Sequence, residues 1–294
     1  MPKLIKEALK KVRDGILYAL PAPAALKLDF FMYQRRFLNL DNPITFNEKV
    51  QHRKLYDRDP RLTELSDKIL AKEHVSRVLG PDWIIPTTWC GKELPPRSDR
   101  AWPVPYVLKA NHGSGWNLFI QSREDEKWDE IEQISSGWLR TTFGNAFLAW
   151  AYFDIQPMLL VEPYFKEVAA NLTDYKFWVF GGKVELIQVD VDRYVDHKQY
   201  FYDRHWKRQA FEYAAPGAPE DISPPQSLDK MIWAAELLGA TFSFVRIDLY
   251  EVGGMPLFGE FTFYPNGAHS RFSPESADVE IGKLWPMHSA VDKV

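Results

Sequence analysis

The sequence predicts an α+β fold, with strands and helices interspersed but not strictly alternating. Three observations carry that prediction. Helical spacing dominates before Gly80, and runs rich in branched and aromatic residues recur from Val104 onward. Paired glycines, Gly181-Gly182 and Gly253-Gly254, join apolar runs at the length of tight hairpin turns. With 294 residues the chain can bury a substantial core and divides into subdomains rather than separate domains.

Residues 3–20 place Leu4, Ile5, Ala8, Leu9, Val12, Ile16 and Leu17 at helical spacing, with Lys3, Lys6, Lys10, Lys11 and Arg13 elsewhere. This is a basic amphipathic helix ending before Pro21, which either packs on the protein or makes weak membrane-surface contact. Pro21-Ala-Pro-Ala-Ala25 reads as a linker. Thr45-Phe-Asn-Glu48 reads as a capping box opening a helix from Phe46 to Tyr56. One further helix is expected from Thr63 to Leu79, stopping at Gly80-Pro81.

Strands are expected at Val104 to Ala110, Leu118 to Gln121, Met158 to Glu162, Tyr175 to Phe180 and Val184 to Val191. A proline-rich loop, Ala215 to Pro225, precedes a helix from Ser227 to Leu238. Thr241 to Tyr250 and Pro256 to Phe263 form the last hairpin. There is no internal repeat and no low-complexity tail.

Composition narrows the function classes. A net charge of −4 argues against a general nucleic-acid binder, which needs a basic surface to displace counterions. The single cysteine, Cys90, excludes an internal disulfide and a cysteine-rich zinc site, and fits a reducing cytoplasm. No apolar run is long enough to span a bilayer, and the start, Met1-Pro-Lys-Leu-Ile-Lys-Glu7, builds no secretory core.

Two stretches carry candidate chemistry. Lys109 ends a short apolar run and leads into Asn111-His-Gly-Ser-Gly115. Glycines there let a loop turn its N–H groups toward phosphate oxygens, while the lysine adds a point charge. The loop lacks the Gly-Lys-Ser/Thr pairing of a Walker loop. In the last hairpin Asp248 and Glu260 sit among Phe, Val and Ile, where two carboxylates are costly without a positive partner. Mg²⁺ is one such partner; Arg246 and Lys283 are the alternative. Polyphosphate on one side and divalent metal on the other point to an enzyme that uses ATP. Asp190-Val-Asp192 is a weaker metal motif, and the seven histidines show no metal-ligand spacing.

In order and spacing, several motifs resemble the TupA-like branch of the ATP-grasp enzymes, associated with teichuronopeptide and bacterial polysaccharide biosynthesis. They are Ile44-Thr-Phe-Asn-Glu-Lys49, Ser66-Asp-Lys68, Val107-Leu-Lys-Ala-Asn-His-Gly-Ser-Gly115, Leu160-Val-Glu-Pro-Tyr164, Asp174-Tyr-Lys-Phe177, Val245-Arg-Ile-Asp-Leu-Tyr250 and Gly259-Glu-Phe-Thr-Phe-Tyr-Pro265. The resemblance implies an ATP-grasp fold, two α+β subdomains clasping ATP. The expected division is a helical segment at 1–62, a central subdomain with the glycine loop at 63–163, and a C-terminal subdomain with the metal site at 164–294.

It further implies that Lys68, Lys109, His112, Gly113, Ser114 and Gly115 meet the phosphates, and that Glu162 and Phe165 lie at the adenine hinge. Asp248 and Glu260 match metal-binding acids. Thr262 stands where the usual ending, Glu-x-Asn, has its ligating asparagine. Lys176 and Arg193 match cationic residues facing phosphate or substrate; Arg246 or Arg193 is a candidate contact of the substrate carboxylate, and Asn266, His269 and Arg271 are candidate acceptor contacts. The implied reaction is carboxylate–amine ligation with ATP and Mg²⁺, on small-molecule or glycan-linked substrates. It would occur in the cytoplasm or at the inner face of the membrane. A glycosyltransferase using Asp190 and Asp192, a sugar kinase, and a non-catalytic ATP-binding scaffold are the alternatives.

Overall fold

A computed structural model describes residues 12–144, 148–164, 173–191 and 197–287. Phe165, Asp192, Arg193 and the first part of the basic N-terminal helix lie outside the described residues; residues 12–19 are helical. No described helix is long and apolar enough to cross a membrane.

Two antiparallel sheets form the frame. Strands β1 (Trp89–Gly91), β2 (Tyr106–Ala110), β3 (Asn117–Ile120) and β4 (Leu159–Pro163) form one sheet in the order β1-β4-β2-β3. Strands β5 (Asp174–Phe180), β6 (Lys183–Val191), β7 (Lys198–Tyr202), β8 (Phe244–Val252) and β9 (Met255–Thr262) form the other, ordered β7-β6-β5-β8-β9. With helices packed on both, the α+β expectation holds.

The helices are α1 (Ala22–Gln34), α2 (Phe46–Tyr56), α3 (Pro60–Ser66), α4 (Lys68–Leu79), α5 (Trp128–Leu139), α6 (Leu228–Gly239) and α7 (Ser276–Leu284). Helix α2 begins where its capping box predicts: Glu48 N–H donates to the Thr45 side chain, and Glu48 accepts from Thr45 N–H. Phe46 and Val50 on α2, Leu62 and Leu65 on α3, and Ala71 and Val75 on α4 join the core of the five-stranded sheet, with Phe177, Ile247 and Phe261. A smaller core of Tyr106, Leu108, Ile120, Ile131 and Val161 serves the four-stranded sheet.

Two sequence expectations are corrected. The supposed linker at Pro21-Ala-Pro-Ala-Ala25 is the start of α1. Proline in a first helical turn forfeits no hydrogen bond and brings a helical φ, so Pro21 and Pro23 open a helix instead of preventing one. The single helix expected from Thr63 to Leu79 is two, broken at Asp67, whose backbone is extended. Asp67 caps α4 by accepting from Ile69 N–H, and its other oxygen accepts from Asn111 at 2.9 Å. That break sets Lys68 at the first position of α4, beside the glycine loop.

Candidate functional site

The glycine loop follows β2 and is pinned at its root. Asn111 is fully buried and donates to Asp67 and to the Gln156 carbonyl, while its own carbonyl accepts from Lys68 N–H at 3.2 Å. The Lys68 ammonium donates to the Gly113 carbonyl inside the loop. A side chain at Gly113 would collide with the Trp116 ring, at 2.4 Å from its Cβ, which explains glycine there. His112 turns inward, nearly fully buried, with ring nitrogens against Asn111 Oδ1 at 3.0 Å and the Trp138 carbonyl at 3.1 Å. It braces the loop and is not among the residues lining the cleft.

The last hairpin supplies the acids. Gly253 and Gly254 both have positive φ, as a two-residue turn of this hand requires. Strict pairing from that turn would set Asp248 against Gly259. A bulge between Asp248 and Leu249 shifts the ladder by one residue, so that Asp248 faces Glu260. Gly259 is the extra residue, and a Cβ there would lie 2.9 Å from the Tyr250 ring and 3.0 Å from the Asp248 carbonyl.

Lys68, Lys109, Gly113, Ser114, Gly115, Glu162, Lys176, Asp248 and Glu260 line one cleft of about 280 Å³. Its two walls differ in charge. On the first, Lys68 and Lys72 from α4 and Lys109 from β2 surround a single carboxylate, Glu162 of β4. Lys72 and Lys109 each pair with one Glu162 oxygen, Lys109 at 2.6 Å. Burial pushes the Glu162 carboxyl up, but the two lysines outweigh it and hold the group below its ordinary value. Burial lowers the Lys68 ammonium, opposed by the charge of Glu260 across the cleft.

On the second wall Lys176 and Arg246 are interleaved with four carboxylates. Lys176 lies 3.0 Å from Asp174, 3.2 Å from Asp248 and 3.5 Å from Asp190. Arg246 holds both Asp248 oxygens at 2.7 Å and donates to Thr262 at 3.0 Å. Burial raises the Asp248 carboxyl; Arg246 and Lys176 more than reverse it, leaving the carboxylate favoured. Lys176 is raised despite burial, chiefly by Asp248 and Asp174. Glu260 is the open member, with 38% of its side chain exposed, 3.7 Å from Arg246 and 3.4 Å from Thr262.

The donors fit a hard divalent cation. Among the described residues no cluster of three or more His, Cys, Asp or Glu side chains could hold a metal unaided. Mg²⁺ commonly takes only one or two carboxylates and completes its shell with water and phosphate oxygens. Asp248 and Glu260 are opposed oxygen donors, and a carboxylate keeps lone pairs beyond the two edges Arg246 occupies. The two buried cations facing four carboxylates leave this wall short of positive charge.

Asn266, His269 and Arg271 lie elsewhere. His269 stacks on Tyr33 at 3.7 Å and pairs with Asp29, Arg271 donates to the Tyr33 carbonyl, and Asn266 donates to Ser270. His269 and Arg271 fasten α1 to the turn after β9, Asn266 is held within that turn, and none of the three is among the residues lining the cleft. Lys283, the suggested partner of the acids, pairs with Glu280. Asp190 is enclosed by Lys176, Gln188 and Gln199. The residue missed from sequence is Lys72: it lies four positions after Lys68, one helical turn along the same face of α4.

A family model described as TupA-like ATPgrasp matches residues 48–285. Among curated proteins no sequence matches this chain. Among solved structures, L-amino acid ligase from Bacillus licheniformis is similar at 12% identity and a TM-score of 0.47, over 93% of this chain and 64% of that one. D-alanine–D-alanine ligase from Bacillus anthracis is similar at 17% identity and a TM-score of 0.43, over 76% of this chain and 66% of that one. The ATP-grasp ligase PsnB, with a precursor variant, Mg and ADP, is similar at 15% identity and a TM-score of 0.40, over 69% and 52% of the two chains. The chain thus spans less than two thirds of the length of these structures.

Proposed function

The chain belongs to the TupA-like ATP-grasp family, and we propose that it is an ATP-dependent carboxylate–amine ligase acting in bacterial cell-surface polysaccharide biosynthesis. The observation that carries the reading is the opposition of charge across one cleft. Three lysines around one glutamate face an in-register pair of carboxylates. A magnesium–triphosphate complex presents the complementary signs: negative phosphates to the lysines and a positive ion to the carboxylates.

Lys68, Lys72 and Lys109 bind the phosphate oxygens, and Glu162 orients Lys72 and Lys109 for that task. The Gly113-Ser-Gly115 loop lays backbone over the tail. Asp248 and Glu260 would hold Mg²⁺, with Thr262 beside them; bound there, the ion offsets charge on the β- and γ-phosphates. Lys176 faces the same tail from the second wall. A substrate carboxylate oxygen bonds to the γ-phosphorus as the bond to ADP breaks. An amine then displaces phosphate from the acyl phosphate and forms the amide. Fixed cations already in place at the start of transfer supply electrostatic preorganisation.

The test is a phosphate-release screen with ATP, Mg²⁺ and mixtures of amino acids and uronic-acid sugars, with Asp248→Asn as the blank. Release that requires both an amine and a carboxylate supports the ligase. ADP formed with a sugar alone and without phosphate release indicates a kinase, and equal rates in the two proteins remove the assigned acids from the chemistry.

A further inference from the structure

Lys176 owes its place to a polar row that runs away from the cleft. Pairing across the five-stranded sheet aligns Gln199 with Asp190 and Asp190 with Asp174; beside them Gln188 aligns with Lys176 and Lys176 with Asp248. Asp190, Gln188 and Gln199 are all buried, in a position where an unpaired polar group is destabilising. The row is well satisfied. Asp190 accepts from Gln199 at 2.8 Å and from Gln188 at 3.1 and 3.2 Å, and His197 lies 3.3 Å away. Gln188 is fixed by Trp178 Nε1 at 3.1 Å, and Gln199 by Ala214 N–H at 3.0 Å. The row ends on Asp190, whose carboxylate lies 3.5 Å from the Lys176 ammonium.

Lys176 has three carboxylate partners, and they are not equivalent. Asp248 also belongs to Arg246 and lines the cleft. A cation bound by Asp248 competes with Lys176 for its charge, so Asp248 is a poor fixed anchor in the loaded state. Asp190 is buried and is not among the residues lining the cleft, as is also true of Asp174, 3.0 Å from the ammonium; on both, the charge facing Lys176 lies on the side away from the nucleotide. We propose that Asp190 is a positioning residue: it acts through Lys176, holding the ammonium toward the triphosphate tail when Asp248 is engaged. The inference rests on the ATP site argued above.

The test is a double-mutant cycle of Asp190→Asn and Lys176→Met, read by calorimetric binding of ATP with Mg²⁺, with AMP as the tail-less control. Asp190→Asn should weaken ATP by ~10-fold and AMP by less than ~2-fold. In the Lys176→Met protein the same substitution should add less than ~2-fold. Equal further loss in that background, or equal loss for ATP and AMP, overturns the inference, since a structural role would produce either. If Asp190→Asn does not fold, Gln199→Met removes the outer tether and leaves the charge; it must show the same dependence on Lys176. Failure of the unaltered protein to bind ATP would remove the underlying site and the inference with it.

Discussion

The two walls of the cleft hold similar side chains by different means. On the first, lysines arrive from a helix and a strand of separate elements and converge on one glutamate. Lys109 keeps 27% of its side chain exposed. On the second, every charge lies on adjacent strands in register, and all but Glu260 are nearly enclosed. An assembly of cations from separate elements, with Lys109 partly exposed, suits an anion that arrives and departs. A ladder of interlocked charges keeps two carboxylates at a fixed spacing, as a metal requires.

The largest expected effect comes from breaking the second wall. Removing both acids, as Asp248→Asn with Glu260→Gln, should cut ATP-dependent phosphate release by at least ~10³-fold. Steady-state rates at saturating ATP check it. On the first wall Glu162→Gln should act on stability. It leaves two lysines facing a neutral amide and should cost about 3 kcal/mol in denaturant unfolding.

The same variant has a pH signature. The folded Glu162 carboxyl lies below its ordinary value, so the unfolded chain binds the proton more readily. Its contribution is therefore complete above the unfolded carboxyl value, near about 4.3, and is lost as pH falls through the folded value. The stability gap between Glu162→Gln and the unaltered protein should be constant from pH 7 to about pH 5 and close below about pH 4. A gap independent of pH would count against the ion pairs.

Lys109→Met should weaken ATP by ~10–100-fold and flatten the salt dependence of binding, without altering the melting temperature as much as Glu162→Gln. Gly259→Ala should have the smallest effect, on the order of 1–2 kcal/mol, because its methyl group meets the Tyr250 ring and the Asp248 carbonyl at the bulge.

Sequence made the second wall partly legible. Paired glycines and alternating apolar residues announce the hairpin, and carboxylates amid Phe and Ile are costly enough to attract notice. The bulge was not legible, since turn length alone pairs Asp248 with Gly259. Lys72 was hidden because one lysine in a charged helix has no local signature; only Glu162, 90 residues away, gives it meaning. The break at Asp67 depends likewise on Asn111. Short strands β1 and β7 and helices α5 and α7 went unassigned: β1 is three residues long, and both strands are fixed by pairing with β4 and β6 more than by their own pattern. The acceptor contacts expected at Asn266, His269 and Arg271 failed to join the cleft for a similar reason. Proximity in sequence to β9 says nothing of α1, which claims His269 and Arg271.

The most direct test of opposed walls is ATP affinity with and without Mg²⁺, in the unaltered protein and in the double variant lacking both acids. The account predicts that Mg²⁺ tightens ATP by ~10-fold or more in the unaltered protein. In the variant, metal-free ATP should bind more tightly than it does to the unaltered protein, because two repelling charges are gone, and Mg²⁺ should add little. Equal metal dependence in the two proteins would contradict it.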